Sequence, residues 1–350
     1  MIRSTALCHS IAKRCLQQVG VRPDVAEASA DQLIEAERRG YPSHGLQRLR
    51  LLVTAVERGV ANGDPAPTVT RDRPGAALID ADRGLGAFIG RMAMEEACRS
   101  AESTGSAVVG VRGAHYSGHL AYFTRPVAMA GCVALMTSTT PPMVHAHGGR
   151  EPVLGTTPLS IAFPAAPHPV VLDLATSAGS RGRIMAAARR DEPLPDGWAI
   201  DADGRPTTDA SAALDGALSP FGGHKGSGIA IMLTLLSSAL VGMEPPPVEG
   251  TDVFATGTVL RGDLILVIDP DALAGRAASS RMATAFGELV RGGAAADGSD
   301  GARMPGDRSG NRGEGADGSL TIDPDLHAEI QSIIESLGLD PAPWVDGSSP

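Results

Sequence analysis

The sequence predicts an α/β fold with helical N-terminal and C-terminal segments, on three observations. Helical spacing of apolar side chains runs through residues 5–58, short apolar strands alternate with helices over residues 76–290, and a further helix follows residue 323. Alternation of this kind is typical of proteins in which helices cover the faces of a sheet. With 350 residues, 43% of them apolar, the chain can bury a large core.

The N-terminal segment, residues 1–74, is predicted to contain three helices and to pack against residues 320–350. Proline suits the first turn of a helix because its missing N–H needs no partner there, and glycine often follows a helix end. The predicted helices are residues 5–18, Pro23 to just before Gly40, and Leu46 to about Arg58.

Residues 75–290 form the predicted α/β core of the chain. Pro126 lies inside one of its helices, where proline costs a hydrogen bond. Strands are expected at residues 76–80, 107–111, 132–137, 161–163, 170–174 and 264–268, and helices at residues 88–103, 120–130, 182–190, 228–241 and 271–290.

The last part of the chain changes in texture. Residues 291–318 are rich in Gly, Asp, Arg and Ser and have almost no aliphatic side chains, so we expect a flexible loop there. Residues 319–350 form a C-terminal helical segment. Asp323 is expected to cap its helix, which begins at Pro324 and runs to Leu337.

Composition excludes several classes of function. The net charge is −10 and no basic run is interleaved with aromatics, so nucleic-acid binding is not expected. The longest apolar stretch, Ile229 to Leu240, is too short to span a bilayer and predicts a buried helix rather than a membrane anchor. Residues 1–23 lack acidic groups, as transit peptides do, but their spacing favours an ordinary helix. Four cysteines without a regular framework indicate free thiols and a cytoplasmic protein.

Common cofactor and metal motifs are absent or out of context. The one GxGxxG, at Gly313, Gly315 and Gly318, follows a Gly-rich stretch rather than a strand, so it is not a dinucleotide fingerprint. No phosphate-binding loop, nucleophile elbow or HExxH motif occurs. The pairs His115 with His119 and His145 with His147 lack a third ligand at telling spacing, and no metal site is predicted.

Two polar clusters suggest a site for a carboxylic acid. Ser43, His44 and Arg48 lie at a helix start, where a guanidinium can bind a carboxylate through two parallel hydrogen bonds. Residues 113–119 follow a strand and contain His115, whose pKa suits proton exchange with an alcohol or carbonyl oxygen. Taken alone, the first cluster could also be a capping serine beside a surface arginine, and the second could be an ordinary hydrogen-bonded loop histidine.

Two further clusters suit a nucleotide. Hydroxyl groups in the segment 154–158, and an acid with hydroxyls in the segment 173–177, could hold ribose or phosphate, or could simply cap the backbone. Gly222–Gly228 contains His224 and Lys225 and leads into an apolar helix, which indicates an anion site at a helix N-terminus or a flexible helix entry.

Taken in order, these segments resemble the malate/L-lactate dehydrogenase family, which is distinct from Rossmann lactate dehydrogenases. The resemblance covers nearly the whole chain. It is carried by SHGLQR at 43–48, DADRGLG at 80–86, GAHYSGHLAYF at 113–123, GGREPVLGTTPLSIAFP at 148–164, VVLDLATS at 170–177, GWAIDADGRPTTD at 197–209, GGHKGSG at 222–228 and MPGD at 304–307.

The resemblance implies an α/β malate/L-lactate dehydrogenase-like (non-Rossmann NAD(P)-binding) fold and a homodimer. Residues 1–74 would lie on the dimer and substrate side, and residues 75–290 would form the cofactor and catalytic core. The reaction implied is hydride transfer between NAD or NADP and a small 2-oxo or 2-hydroxy acid. His115 would be the catalytic acid/base, or Ser43 and His44 the proton relay, with Arg48 and Thr157 binding the substrate. The cofactor contacts implied are His115, Tyr116, Ser117, Gly118, His119, Ser138, Thr156, Asp173, Leu174, Ala175, His224, Lys225, Pro305, Gly306 and Asp307.

Some positions depart from the family pattern. Thr157 replaces a common asparagine, Arg183 a frequent lysine, and the segment Met243 to Leu264 lacks a Gly-His-aromatic approach to its strand. Two alternatives to the oxo-acid enzyme therefore stay open: a reductase of cyclic imino acids such as piperideine-2-carboxylate or pyrroline-2-carboxylate, and a non-catalytic member of the family.

Overall fold

The computed structural model describes residues 1–244, 260–309, 312 and 314–347. Its α-helices are α1 (Thr5–Gln18), α2 (Pro23–Arg38), α3 (Leu49–Glu57), α4 (Gly86–Thr104), α5 (Ala121–Met129), α6 (Arg181–Arg190), α7 (Ala210–Asp215), α8 (His224–Ser237), α9 (Arg276–Arg291), α10 (Pro324–Ser336) and α11 (Ala342–Asp346).

The strands are β1 (Ile2–Ser4), β2 (Thr68–Arg73), β3 (Ala76–Asp80), β4 (Ser106–Ala114), β5 (Val133–Ser138), β6 (Val144–His145), β7 (Pro152–Leu154), β8 (Leu159–Phe163), β9 (Val170–Leu174), β10 (Ala199–Ile200), β11 (Pro206–Thr207), β12 (Ala217–Leu218), β13 (Arg261–Ile268) and β14 (Ser319–Thr321). The α/β fold class predicted from the sequence is confirmed.

A seven-stranded sheet forms the centre of the molecule, in the order β2-β3-β4-β13-β5-β8-β9. β3 and β4 run parallel, and the other neighbours pair antiparallel. α4 and α5 bury their apolar sides against this sheet, in a core that includes Ile89, Phe123 and Ile265. β13 therefore lies in the middle of the sheet, although it is the last of the sheet's strands along the chain.

The two ends of the chain are joined in one helical layer. β1 pairs with β14, Ile2 opposite Thr321, and the apolar sides of α1 and α10 share a core that includes fully buried Trp344. The Trp344 ring stacks on His327 with 5.0 Å between ring centroids, and its Nε1 donates to the His327 carbonyl. The start of the chain is thus fixed by its last helices.

Most predicted element bounds agree with the structure, and the differences have local causes. The helix expected from Leu46 to Arg58 is split, because Leu46–Arg48 forms a 3-10 turn before α3. The helix expected from residue 271 begins only at Arg276, after a 3-10 turn at Pro270–Ala272. The prediction missed β2, whose side chains are mostly exposed and polar and so lack an apolar alternation.

The prediction that the apolar stretch Ile229 to Leu240 is a buried helix is wrong for the single chain. α8 packs one side on β5 and β13, but Ile229, Met232 and Leu235 are 41%, 57% and 47% exposed. By length and composition alone, the stretch His224–Val241 is apolar enough to cross a membrane. Neighbouring exposed apolar side chains of this kind indicate a contact surface.

α9 ends at Arg291, and no helix or strand follows before β14 among the residues that the structure describes. The flexibility expected for residues 291–318 stays a prediction. Gly313, the first glycine of the GxGxxG pattern, lies outside the described residues. Gly315 and Gly318 form a turn directly before β14, where the Gly318 carbonyl accepts a hydrogen bond from the Thr5 amide. These two glycines therefore belong to the turn that connects the two ends of the chain.

Candidate active site

A cavity of about 200 Å³ opens where the turn before α3, the loop after β4 and the end of β9 meet. It brings together side chains from distant parts of the sequence. The residues that line it are Tyr41, Ser43, His44, Arg48, Tyr116, Gly118, His119, Leu120, Thr140, Pro141, Met143, Thr156, Pro158, Asp173, Leu174, Ala175, Ser177, Ser180, Arg181, Gly182 and Arg261.

The first predicted cluster lies on one wall of this cavity. Ser43 Oγ is 3.0 Å from His44 Nδ1, and Arg48 Nε donates to the Ser43 carbonyl at 2.7 Å. Burial, with the charges of Arg48 and Arg261, lowers the pKa of His44 to about 4. The His44 imidazole is therefore neutral near pH 7, and the turn presents a fixed Arg48 guanidinium to the cavity.

A buried carboxylate holds this turn, and the sequence reasoning did not identify it. Glu37, at the end of α2, is 7% exposed, and its Oε1 accepts the Leu46 amide at 2.8 Å. Burial raises the pKa of Glu37 to about 7. Gly45 is required beside it, because a Cβ there would overlap the Glu37 carboxyl group. Glu37 thus fixes the backbone between His44 and Arg48.

The second predicted cluster is divided by the structure. Tyr116, Gly118 and His119 line the cavity, whereas His115 and Ser117 do not. His115 is 2% exposed and its amide donates to the Gly84 carbonyl. The side chains of this loop point in different directions, so only some members of the cluster reach the cavity. The predicted acid/base role of His115 stays a prediction, with its side chain off the cavity wall.

Two guanidinium groups lie close to the ring of Tyr116. The Cζ atoms of Arg48 and Arg261 lie 5.9 Å and 5.1 Å from its ring centroid. Burial raises the pKa of Tyr116, while Arg48 and Arg261 act in the opposite direction. The Tyr116 hydroxyl is buried, and a side-chain hydrogen bond with Arg48 also lowers its pKa.

Arg261 is a site residue that the sequence reasoning missed. It is the first residue of β13, is 9% exposed, and its buried Nε lacks a hydrogen-bond partner among the described residues. Burial lowers the pKa of Arg261, and Asp263, two residues on, partly offsets this. No motif marks the position, and 245–259, which precede it, lie outside the described residues. Pairing of β13 with β4 brings it beside Ala114.

The third cluster contributes Thr156 and the end of β9 to the cavity wall. Asp173 Oδ2 accepts the Ala121 amide at 2.7 Å, at the N-terminus of α5, and burial raises the pKa of Asp173 to about 6. Leu174 and Ala175 also line the cavity. Thr157 does not. It is 1% exposed, with its amide donating to Thr140 Oγ1.

Ser138, His224 and Lys225 also lie off the cavity wall. Ser138 is 1% exposed and donates through Oγ to the Thr139 carbonyl. His224 and Lys225 are exposed in the first turn of α8, where the His224 ring lies 5.9 Å from that of His147. Their predicted cofactor contacts stay predictions.

A second, larger cavity lies at the other end of β9, and the predicted loop Pro305–Asp307 borders it. Gly306 and Asp307 line it, and the Pro305 carbonyl accepts the Val171 amide at 3.1 Å. Asp307 is paired with Arg291, whose guanidinium lowers its pKa. β9 therefore connects the two cavities over about 13 Å, at 3.3 Å per residue.

The residues of these cavities fit a nicotinamide dinucleotide. Arg125 lines the larger cavity, is more than half buried, and contacts the Ser309 hydroxyl at 3.0 Å, while the described residues offer it no carboxylate within salt-bridge distance. A partly buried guanidinium that no described carboxylate pairs with directly suits a phosphate group. At the other end, His119 Nδ1 is a buried polar atom facing the smaller cavity without a described partner.

Metal ligands are sparse among the residues that the structure describes. One group, His9, Glu27 and Asp31, has its ligand atoms close together. Lys13 and Arg91 already pair with these carboxylates, which indicates an ordinary cluster of ion pairs. His145 contacts the Ser219 hydroxyl and the Ala146 carbonyl, as a hydrogen-bonded histidine does.

Comparison with known proteins gives one consistent result. A family model described as malate/L-lactate dehydrogenase matches residues 4–331. The chain is 33% identical over 336 residues to L-sulfolactate dehydrogenase of Methanocaldococcus jannaschii, covering 95% of this chain and 96% of that protein. It is 34% identical over 343 residues to a Δ1-pyrroline-2-carboxylate/Δ1-piperideine-2-carboxylate reductase of Pseudomonas aeruginosa, covering 96% and 100%.

Solved structures agree with these sequence relatives. Sulfolactate dehydrogenase from M. jannaschii superposes with a TM-score of 0.90 at 31% identity, covering 97% of this chain and 98% of that one. Δ1-piperideine-2-carboxylate reductase from Pseudomonas syringae superposes with a TM-score of 0.84 at 32% identity, covering 95% and 99%. The whole described fold is therefore shared with both kinds of enzyme.

Proposed function

Because the chain belongs to the malate/L-lactate dehydrogenase family of dehydrogenases and reductases, we propose that it transfers a hydride between NAD(P)H and a small 2-oxo acid, or in reverse from the 2-hydroxy acid. The observation that carries this proposal is the charge of the smaller cavity. Arg48, Arg181 and Arg261 line it, and Asp173 is the one carboxylate on its wall among the described residues. A cavity with this excess of guanidinium groups suits an anionic substrate.

The same charge favours an oxo acid over a cyclic imino acid. An imine is reduced most readily as its protonated iminium, and three guanidinium groups disfavour a cation at the reacting carbon. They favour instead a substrate with a second acidic group, such as a dicarboxylate or a sulfonated oxo acid. Arg48, fixed by its bond to the Ser43 carbonyl, is the group we assign to the 2-carboxylate.

The cofactor supplies the hydride, and the chain holds the substrate against it. Asp173, Leu174 and Ala175 would contact the nicotinamide half at the smaller cavity, and Arg125 a phosphate at the larger one. Arg48 restrains the substrate at near-attack distance, which reduces the entropy cost of the reaction.

The test is consumption of the reduced nicotinamide, followed by its absorbance, with NADH or NADPH and a panel of oxaloacetate, sulfopyruvate, pyruvate and piperideine-2-carboxylate. We expect the two dianionic oxo acids to give the highest kcat/KM. Turnover of the imino acid alone would support the reductase alternative instead. Failure to bind either cofactor by calorimetry would support the non-catalytic one.

We also propose that the chain acts as a cytoplasmic homodimer joined through the exposed face of α8. The dimer is supported by Ile229, Met232 and Leu235, exposed apolar side chains that a second copy of the chain would cover. The cytoplasmic location is supported by the four cysteines, which are all free thiols. Met232→Glu should yield monomers in sedimentation, whereas Leu289→Glu, on the exposed side of α9, should not. The reverse result would move the interface to α9.

A further inference from the structure

Two arginines from different helices meet at the edge of the larger cavity. Arg39, the residue that directly follows α2, donates through Nη1 to the Ser309 carbonyl at 3.1 Å. Arg125, in α5, donates through Nη2 to the Ser309 hydroxyl at 3.0 Å. Both arginines and Ser309 line this cavity. Two guanidinium groups therefore converge on one residue of the segment that follows the loop Pro305–Asp307.

The charge of this arginine pair is only partly balanced. Arg39 has a carboxylate partner in Glu35, whose Oε1 lies 2.8 Å from Arg39 Nε. Arg125 has no carboxylate within salt-bridge distance among the described residues, and burial and the nearby charge of Arg39 lower its pKa. Two like charges held this close repel each other, and an anion that contacts both would relieve the repulsion.

The pair lies at the boundary between the two cavities. Arg125 is one helical turn along α5 from Ala121, whose amide donates to Asp173 at the smaller cavity. Asp173 and Tyr41, both on the wall of the smaller cavity, act on the pKa of Arg125 in the direction opposite to burial, so both lie near its guanidinium. Arg125 itself lines the larger cavity. A ligand that extends from one cavity into the other therefore passes this pair.

We propose that Arg39 and Arg125 together hold the diphosphate of the nicotinamide dinucleotide. This inference rests on the proposed function and deepens it, because it names the part of the cofactor that the two arginines bind. The diphosphate joins the two halves of a dinucleotide, and the two cavities are the places proposed for those halves. Guanidinium groups form paired, charge-assisted hydrogen bonds with phosphate oxygens. The sequence reasoning identified neither arginine.

Other phosphate sites among the described residues fit less well. A helix N-terminus commonly binds phosphate, but at α5 the Asp173 carboxylate already accepts the Ala121 amide. The N-terminus of α8, with Lys225, lies on the wall of neither cavity. Arg276 and Arg291 are the other guanidinium groups on the described wall of the larger cavity, and each is paired with an aspartate. The pair at the boundary is thus the best-placed cationic site for the diphosphate.

The test is calorimetric titration of the full chain with ADP-ribose, which carries the diphosphate but no nicotinamide, so that no turnover is needed. We expect Arg39→Gln and Arg125→Gln each to weaken the affinity for ADP-ribose by about 10-fold to 100-fold, because each removes a charge-assisted hydrogen bond. Arg91→Gln, the same change on an exposed arginine outside the larger cavity, should bind as wild type does. Urea denaturation of each variant establishes that it is folded.

Two further titrations separate direct binding of the diphosphate from other roles. Ser309→Ala removes the hydroxyl that Arg125 contacts and leaves the guanidinium in place, so its loss of affinity for ADP-ribose should be far smaller. An equal loss would show that the arginine acts by holding the loop, and would overturn the inference. The loss in Arg125→Gln should also be the same for NADH and NADPH, since both carry the diphosphate. A loss confined to NADPH would place the 2′-phosphate at this pair instead.

Binding and turnover together separate this inference from the proposed function. If the wild type reduces an acid of the panel and both arginine variants bind ADP-ribose as tightly as it does, the inference is wrong while the function stands. If the variants lose affinity for ADP-ribose but the wild type reduces none of the acids, the diphosphate site stands and the proposed hydride transfer fails. If the wild type binds neither ADP-ribose nor a reduced cofactor, both fail.

Discussion

Glu37 offers a sharp test of how the active-site turn is held, through the substitution Glu37→Gln. Glutamine keeps the acceptor oxygen for the Leu46 amide and nearly the same volume, and it removes the buried negative charge. Burial raises the pKa of Glu37 from 4.5 to about 7. Folding therefore favours the protonated form, and the neutral glutamine mimics it.

The sign and the size of the effect follow from this raised pKa. The stability that the protonated carboxyl contributes is fully present below pH 4.5 and is lost as pH rises through about 7. The whole interval corresponds to about 3 kcal/mol in the free energy of unfolding, taken as an order of magnitude. We expect Glu37→Gln to match wild type near pH 4.5 and to exceed it at pH 8.

The assay is urea denaturation of both proteins at several pH values, read as the difference in free energy of unfolding. Glu57→Gln, the same change on an exposed glutamate at the end of α3, is the control and should show no such trend. A constant difference across this pH range, or a less stable Glu37→Gln at pH 8, would refute the assignment of a buried, destabilising charge.

Three further outcomes are expected. Trp344→Ala should lower the free energy of unfolding by about 3–5 kcal/mol in urea, because it empties a fully buried ring site, and a loss below about 1 kcal/mol would contradict the joining of the chain ends. Gly86→Ala should destabilise the protein markedly, because its Cβ would overlap the backbone after β4, whereas Gly228→Ala, with open space, should not. Asp307→Asn removes the charge that pairs with Arg291 and should weaken cofactor binding several-fold at low salt, measured by calorimetry, whereas high salt should screen the difference. Equal affinities of variant and wild type at low salt would show that this loop does not contribute to cofactor binding.

The elements that the sequence predicted well are those whose side chains follow a strong local pattern. α1 and α10 have apolar residues at helical spacing, and Asp323 caps α10, its carboxylate accepting the Asp325 amide. β3 and β9 were predicted with the bounds that the structure gives them. In such segments burial and local propensity favour the same conformation, so one sequence suffices.

The candidate site was predictable only as a set of segments. Ser43, His44, Arg48, Thr156 and the residues 173–175 were predicted and line one cavity. Which member of the segment 113–119 faces that cavity depends on how the loop leaves β4, and sequence spacing alone cannot fix this direction. For the same reason, the sequence could not show that Thr156 lines the cavity while its neighbour Thr157 is buried away from it.

By itself, the sequence determined the α/β class, the bounds of most of the longer helices and strands, and the family, because each depends on local pattern or on motifs in fixed order. It also predicted a carboxylate-binding role for Arg48. Only the tertiary structure decided that Arg261 joins Arg48 around Tyr116, since pairing of β13 between β4 and β5 brings together residues 145 positions apart, from Tyr116 to Arg261. It also decided the burial of Glu37. Burial and charge proximity are properties of packed neighbours, and they set the pKa values on which the chemistry depends.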